Sequence, residues 1–335
     1  MGISVYNSRR YRWSTLAFEG GASDPSVVSP PRSTVKISAL WVAGAALLWG
    51  MDSIVRFPAA REMNPLVVVF LEHLIGLMIL LPWAWARHGQ ELKLWRRQDL
   101  LPLLLVGLGG GALAGVVYTE SVKCIGPSSA TLFLMLQPLL VVGLAYQFLK
   151  EHRGNSKFVY GAAWVIMNAV LIAFPDFNFG FRVVDDVVFL RGVLYGFLAM
   201  LLWSISTVAG KALLARYSAV MTATLRWATA LGGIGVVLAL RKLTGIDDGW
   251  GHLASAQVWG SLFIMGTILG AIPMVIYYKG LQRIPASLAT FIELLYPVAG
   301  VFIPAVVAGV ELSPIQMVGA VSLLASMSFL VMVED

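Results

Sequence analysis

The chain has 335 residues, of which 58% are apolar and only 13% charged. Soluble proteins carry about 25% charged residues, so this composition, with a mean hydropathy of +0.80, excludes an ordinary soluble protein and points to a polytopic membrane protein. One cysteine, Cys124, excludes an internal disulfide framework. The net charge of +6 would suit nucleic acid only if it were gathered on one surface. It follows the loops instead, so nucleic acid is excluded as a partner and the basic residues become a topology signal.

Residues 1–36 hold Arg9, Arg10 and Arg12 and a Ser/Pro-rich run ending at Pro30-Pro31, with no apolar stretch. This predicts a disordered tail and argues against a cleaved signal peptide, which needs an apolar segment after its basic residues. A Tyr at position 6 also breaks the myristoylation pattern. A helix needs about 20 mostly apolar residues to cross a hydrocarbon core about 30 Å thick. Ten such stretches follow, at 37–57, 65–86, 100–122, 129–149, 157–175, 189–210, 218–240, 255–279, 287–309 and 314–333. Ile125-Gly126-Pro127 and Ile284-Pro285 mark turns between successive spans. The expected fold is all-α and integral to the membrane, with ten transmembrane helices. Lys and Arg concentrate in the tail and alternate loops, among them Arg87, Lys93, Arg96, Arg97, Lys150, Arg153 and Lys157. The positive-inside rule then puts the N-terminus in the cytoplasm, and ten spans bring the C-terminus back to it. Base rates alone favour the bacterial inner membrane.

The sequence repeats itself. LLWGMDSIVR (47–56) and LLWSISTVAG (201–210) align at a spacing of 154 residues, pairing Trp49 with Trp203 and Leu71-Glu72 with Leu225-Arg226. At a spacing of 159, Gly107, Gly111, Tyr118, Ser128, Thr131 and Pro138 meet Gly266, Gly270, Tyr277, Ser287, Thr290 and Pro297. Five spans per half is an odd number, so the halves 37–175 and 189–333 enter the membrane from opposite sides. Inverted repeats of this kind are typical of secondary transporters, with the substrate site at mid-bilayer between the halves.

With LLWG and LLWS in the first and sixth spans, GxxxG in the third and eighth, SVKCIGPSSATLFLMLQPLL (121–140) and GLQRIPASLATFIELLYPVA (280–299), the chain resembles the drug/metabolite transporter superfamily in its EamA-type ten-helix branch. The resemblance covers residues 37–333 and implies export or import of amino acids, nucleosides, amines or other metabolites. It also implies that the fifth and tenth spans pack outside the transport path, as support or as a homodimer surface. One departure concerns an Arg-aromatic pair that the family often carries in both the second and seventh spans. Here the second has Glu72-His73 and only the seventh keeps Arg226-Trp227.

Gly107, Gly111, Gly266 and Gly270 form stripes that let helices pack closely, or that let gate helices slide. Pro138 and Pro297 each remove a backbone donor and clash with the carbonyl four residues back, at Leu134 and Glu293; this is either a plain kink or a hinge beside a cavity. Ionisable groups at membrane depth are costly and read as functional. Glu293, in the apolar run FIELLYP, would bind a substrate amine, take up a proton, or pair with Arg226 or Lys279. Glu72 and Arg226, and Glu120 and Lys279, hold equivalent positions with opposite signs, as gate charges, as ends of a dipole-binding site, or as local ion pairs. Asp52 and Arg56, four apart on one helix, are expected to neutralise each other near a membrane edge. Trp49, Trp203, Tyr118, Tyr277, Tyr278 and Tyr296 supply aromatic surface that would stack a flat ring or hold an ammonium, or belong to an interfacial belt. His73 beside Glu72 is a proton relay or a packing histidine.

No HExxH, GxSxG or phosphate loop occurs, and His73, His88, His152 and His252 show no ligand spacing. No catalytic residue, metal or cofactor is expected. The leading expectation is a secondary transporter, an exporter of small polar metabolites with amino acids as the best fit, working by alternating access in a lipid bilayer. A proton-coupled transporter of organic cations such as choline or drugs competes with it. A membrane scaffold or lipid-processing enzyme stands as the other class.

Overall fold

The computed structural model of the chain describes residues 32–151, 156–173, 186–246, 248, 250, 255–296, 298–300, 302–303 and 313–334. Most of the predicted tail and Pro297 lie outside the described residues. Among them every regular element is helical and no strand occurs. Seven helical stretches are long and apolar enough to cross a membrane: Ser33–Glu62, Pro65–Leu94, Arg97–Pro127, Val187–Leu214, Ala219–Leu243, Ala256–Leu281 and Pro314–Val333. The fourth, fifth and ninth predicted spans correspond to shorter apolar helices, Gln137–Leu149, Ser156–Ile172 and Ala286–Gly300.

Several spans are interrupted, and the interruptions converge. The first divides into α1 (Arg32–Trp49) and α2 (Asp52–Glu62). At the break, a Cβ on Gly50 would lie 2.4 Å from the Tyr296 carbonyl oxygen, so only glycine lets the break pack against the chain around 296–300. Next, α3 (Pro65–His88) is capped by Asn64, whose side-chain oxygen accepts from the Leu66 amide at 3.0 Å, and opens with a proline where no donor is needed. A short α4 (Leu100–Leu104) runs into a π-helical stretch, Leu105–Leu113, and on into α5 (Ala114–Leu134). Within α5 the chain turns at Gly126, φ 82, a conformation that glycine adopts at no steric cost; this is the turn predicted at Ile125-Gly126-Pro127. The fourth predicted span is broken at Met135–Leu136, and α6 (Gln137–Leu144) starts just beyond it. Pro138 is therefore not the internal kink expected from sequence. It sits in the first turn of α6, where a missing N–H costs nothing.

α7 (Ser156–Ala173) closes the first half, and the second follows as α8 (Asp186–Leu214), α9 (Ala219–Leu243), α10 (Ala256–Gly266), a π turn over Thr267–Ala271, α11 (Ile272–Leu281), α12 (Ala286–Glu293) and α13 (Pro314–Glu334). α12 ends at Glu293, 159 residues after α5 ends at Leu134, so the two breaks match in register. Packing crosses between the halves: α5 lies on α8, α1 on α11, α3 on α9, α6 on α12 and α7 on α13. Outward-facing side chains such as Trp85, Leu243, Val318 and Val321 are exposed and apolar, as a bilayer solvent requires.

One end of the bundle is tightly tied. Arg216 pairs with Asp99 at 2.6 Å, and the Tyr217 hydroxyl donates to the same carboxylate at 2.9 Å. Burial and that carboxylate together hold the Tyr217 hydroxyl well above its ordinary pKa, so it stays a donor. The Ser218 amide donates to Glu91 at 2.7 Å. Glu151 accepts from the amides of Ala286 and Ser287 at 2.7 and 3.1 Å, a carboxylate at a helix N-terminus, where the dipole favours it. Lys211 donates to the carbonyls of Leu281 and Ile284. These bonds join the connections on one face of both halves. At the opposite end Asp248 accepts from Asn64 and pairs with Arg241.

Candidate functional site

The breaks and π turns surround one cavity in the bundle interior, with about 1160 Å³ of atom-free space including the part continuous with solvent. Because that space runs out into solvent, its volume does not fix the size of a cargo.

Aromatic side chains pair across the halves. Trp49 of α1 packs on Tyr277 of α11 with ring centroids 5.1 Å apart, and Trp203 of α8 packs on Tyr118 of α5 at 5.0 Å, both tilted. Trp49 and Trp203 are repeat equivalents, as are Tyr118 and Tyr277, so each pair takes one member from each half. Tyr296 donates to the Thr131 carbonyl at 3.0 Å, and Tyr118 lies 3.3 Å from the Thr131 hydroxyl, which fixes the start of the fourth span against the ninth.

Two buried arginines line the same cavity in opposite electrostatic states. Arg56 is saturated: Nε and Nη2 donate to Asp52 at 2.8 and 2.9 Å, and Nη1 donates to Glu72 at 2.8 Å and to Thr119 at 3.2 Å. The Asp52–Arg56 pair expected near a membrane edge is thus a buried cluster on the cavity wall. Arg226 has only neutral partners. Its Nη1 donates to Ser206 at 2.7 Å and to the Tyr278 hydroxyl at 3.4 Å, and its Nη2 donates to the Gly110 carbonyl at 2.9 Å. Among the described residues no carboxylate lies within ion-pair distance of it. The Gly110 carbonyl, inside the π-helical stretch, also accepts from Trp203 Nε1 at 2.8 Å. Thus the π-helix anchors one aromatic wall and the unpaired guanidinium at a single atom, in keeping with the association of π segments with functional sites.

Glu293 faces the cavity from the last residue of α12. Gln137 donates weakly to one of its oxygens at 3.4 Å, while Oε1 is buried with the Tyr277 hydroxyl as its polar neighbour. Arg226 and Lys279, the partners considered for it from sequence, make no ion pair with it. Lys279 is exposed, its ammonium 4.2 Å from the centre of the Trp41 ring. His73 stacks on Trp227 at 4.5 Å, and its Nδ1–H donates to the Val69 carbonyl at 2.9 Å, which leaves Nε2 as an acceptor in the neutral ring.

The structure therefore gathers Trp49, Glu72, His73, Tyr118, Trp203, Arg226, Tyr277, Glu293 and Tyr296 around one space, with Gly111 and Gly270 in its wall. Glu120 is part-buried and off the wall. Gly107 and Gly266 pack behind it, against Thr229 and against the Glu72 carbonyl. Asp52, Arg56, Trp227 and Tyr278, named from sequence without a place in the substrate site, and Gln137, which was not singled out, also line it. Gln137 carried a signal, since the 159-residue spacing matches it to Tyr296. The Gly110 carbonyl carried none.

The EamA-like transporter family model matches residues 36–174 and again 190–332. The riboflavin transporter ImpX of Fusobacterium nucleatum subsp. nucleatum is 27% identical over 293 residues, covering 86% of this chain and 95% of that protein. A solved crystal structure superposes with a TM-score of 0.68 at 17% identity, over 89% of this chain and 97% of the other, which carries the fold.

Proposed function

The chain belongs to the EamA-like transporter family of the drug/metabolite transporter superfamily, a multi-pass membrane transporter and not an enzyme, and from that premise we propose that it moves a flat, ring-bearing polar metabolite, of which a flavin is the leading case. The observation that carries this reading is the pair of cross-half aromatic contacts, Trp49 with Tyr277 and Tyr118 with Trp203. Two aromatic walls at one cavity suit a planar heteroaromatic ring, and offset or tilted contacts of this type are worth about 0.5–1.5 kcal/mol each beyond burial. Arg226 would meet the acceptor-rich edge of such a ring, and a riboflavin transporter among the relatives fits the same cargo.

The architecture we infer is ten membrane helices in two inverted five-helix halves. The reciprocal packing supports it: α1 on α11 mirrors α8 on α5, while α3 on α9, α6 on α12 and α7 on α13 each join equivalent elements. Transport is by alternating access, and the face tied by Asp99–Arg216, Glu91–Ser218 and Glu151–Ser287 is the closed gate of this state. The loop charges put that face, with both chain ends, in the cytoplasm.

An amino acid or similar zwitterion is the second reading. It is favoured by one observation, an unpaired guanidinium and an unpaired carboxyl in a single cavity. An organic cation fits less well, because Asp52 and Glu72 are both spent on Arg56 while Arg226 stands unneutralised. Counterflow in proteoliposomes tests the choice: labelled riboflavin should accumulate against an unlabelled pool, and Trp49→Ala should slow that accumulation at sub-saturating riboflavin. Accumulation of an amino acid and not riboflavin would replace the first reading with the second.

A further inference from the structure

Among the described residues, Glu293 is the one cavity carboxyl in no ion pair. The residue is half-buried, its Oε1 is buried with the Tyr277 hydroxyl as its polar neighbour, and the other oxygen has a single long contact from the Gln137 amide. Its equivalent in the first half is Leu134, so the repeat does not require a carboxyl here and the acid is particular to the second half. It also ends α12. The C-terminal end of a helix carries partial negative charge, which opposes a carboxylate and favours a neutral acid that can donate. An isolated carboxylate in apolar surroundings is costly enough that such groups neutralise instead.

The groups facing it from each packed element leave the same picture. From α11 come the Tyr277 and Tyr278 hydroxyls, from α6 only the Gln137 amide, and from α1 only Trp49. From its own segment comes Tyr296, and Tyr118 approaches from α5. α8, which also packs on α12, brings Trp203 and Thr207 to the cavity, and α7 and α13 put no titratable side chain there among the described residues. The charged groups across the space, Arg226 and the Asp52–Arg56–Glu72 cluster, make no ion pair with it.

We propose that Glu293 is a proton-binding site of the transport cycle: it holds one proton while the cavity is closed to the tied face, and exchange of that proton couples cargo movement to a proton gradient. This rests on the transporter reading above. In the cycle the acid O–H is kept at Glu293 beside the Tyr277 hydroxyl, and leaves to water when the cavity opens and the carboxylate is hydrated.

Two measurements separate this proposal from the reading beneath it. The first needs no cargo. In the infrared difference between wild type and Glu293→Gln at neutral pH, the carbonyl stretch of a protonated carboxylic acid should be present in wild type and absent in the variant. Tyr277→Phe, which keeps the acid and changes its neighbour, should shift that band and serves if Glu293→Gln does not fold. The same spectrum without a protonated-acid band in wild type overturns the proposal. The second uses proteoliposomes holding a pH-sensitive dye and a riboflavin gradient. Cargo-driven proton movement is expected in wild type and its loss in Glu293→Gln. Riboflavin counterflow without proton movement overturns the coupling while leaving transport standing; no counterflow with the acid band present removes the cargo assignment and leaves the proton site.

Discussion

Arg56 and Arg226 are both buried and both face one cavity, yet the fold treats them differently. Arg56 is held by two carboxylates and a threonine, and it ties α2 to α3 and α5. Arg226 is held by a serine, a tyrosine and a backbone carbonyl, with no counter-charge among the described residues. A buried charge left without a partner costs several kcal/mol, and a protein keeps one where an arriving ligand supplies the missing charge or acceptor. On the proposed function, the contrast is that of a structural cation and a binding cation within one space.

The largest effect is expected at Arg56. Arg56→Met would strand the Asp52 and Glu72 carboxylates, and breaking a buried pair on one side costs about 3–5 kcal/mol; thermal unfolding in detergent should fall sharply, with recovery in the Asp52→Asn/Arg56→Met/Glu72→Gln triple variant. No recovery would mean that the cluster works through shape and not charge. Arg226→Met should act the other way. Melting should stay near wild type or rise, because an uncompensated charge is removed, while riboflavin transport is lost. Hydrogen bonds to charged groups are worth about 1.5–3 kcal/mol, so Arg226→Lys should retain part of the transport at raised KM. Equal loss of stability in the two arginine variants would erase the comparison.

Smaller effects should follow the pseudo-symmetry. Trp49→Ala and Trp203→Ala each remove one cross-half aromatic contact, worth about 0.5–1.5 kcal/mol beyond burial. The two should raise KM for riboflavin by similar factors, Trp203→Ala somewhat more because its indole also holds the Gly110 carbonyl. The smallest effect is expected at the tied face. Asp99→Asn weakens the Arg216 and Tyr217 bonds, and should speed exchange of backbone amides in 215–218 without altering KM.

Much of the framework was legible because membrane helices announce themselves by length and apolarity, and because a repeat leaves fixed spacings. The pairing of Trp49 and Trp203, and of Tyr118 and Tyr277, named four of the cavity's aromatic residues before any coordinates. Two kinds of feature were not legible. Pro138 reads as a kink by its chemistry alone, but the break before it turns it into a helix start, and a tertiary break has no local signature. The partner of each charge was equally hidden: Glu72 is equivalent to Arg226 in the repeat yet bonds to Arg56, since equivalence in sequence fixes depth and not contact. The backbone carbonyl of Gly110 could not be found from side-chain types at all.

The most direct test of the account is riboflavin binding to the purified protein, read as quenching of the cavity tryptophans, in wild type and in Arg226→Met with its melting temperature checked in parallel. Saturable quenching in wild type and its loss in a variant that melts no lower is the predicted result. Unchanged affinity in Arg226→Met would contradict it, and the unpaired guanidinium would then have to be a structural cation like Arg56.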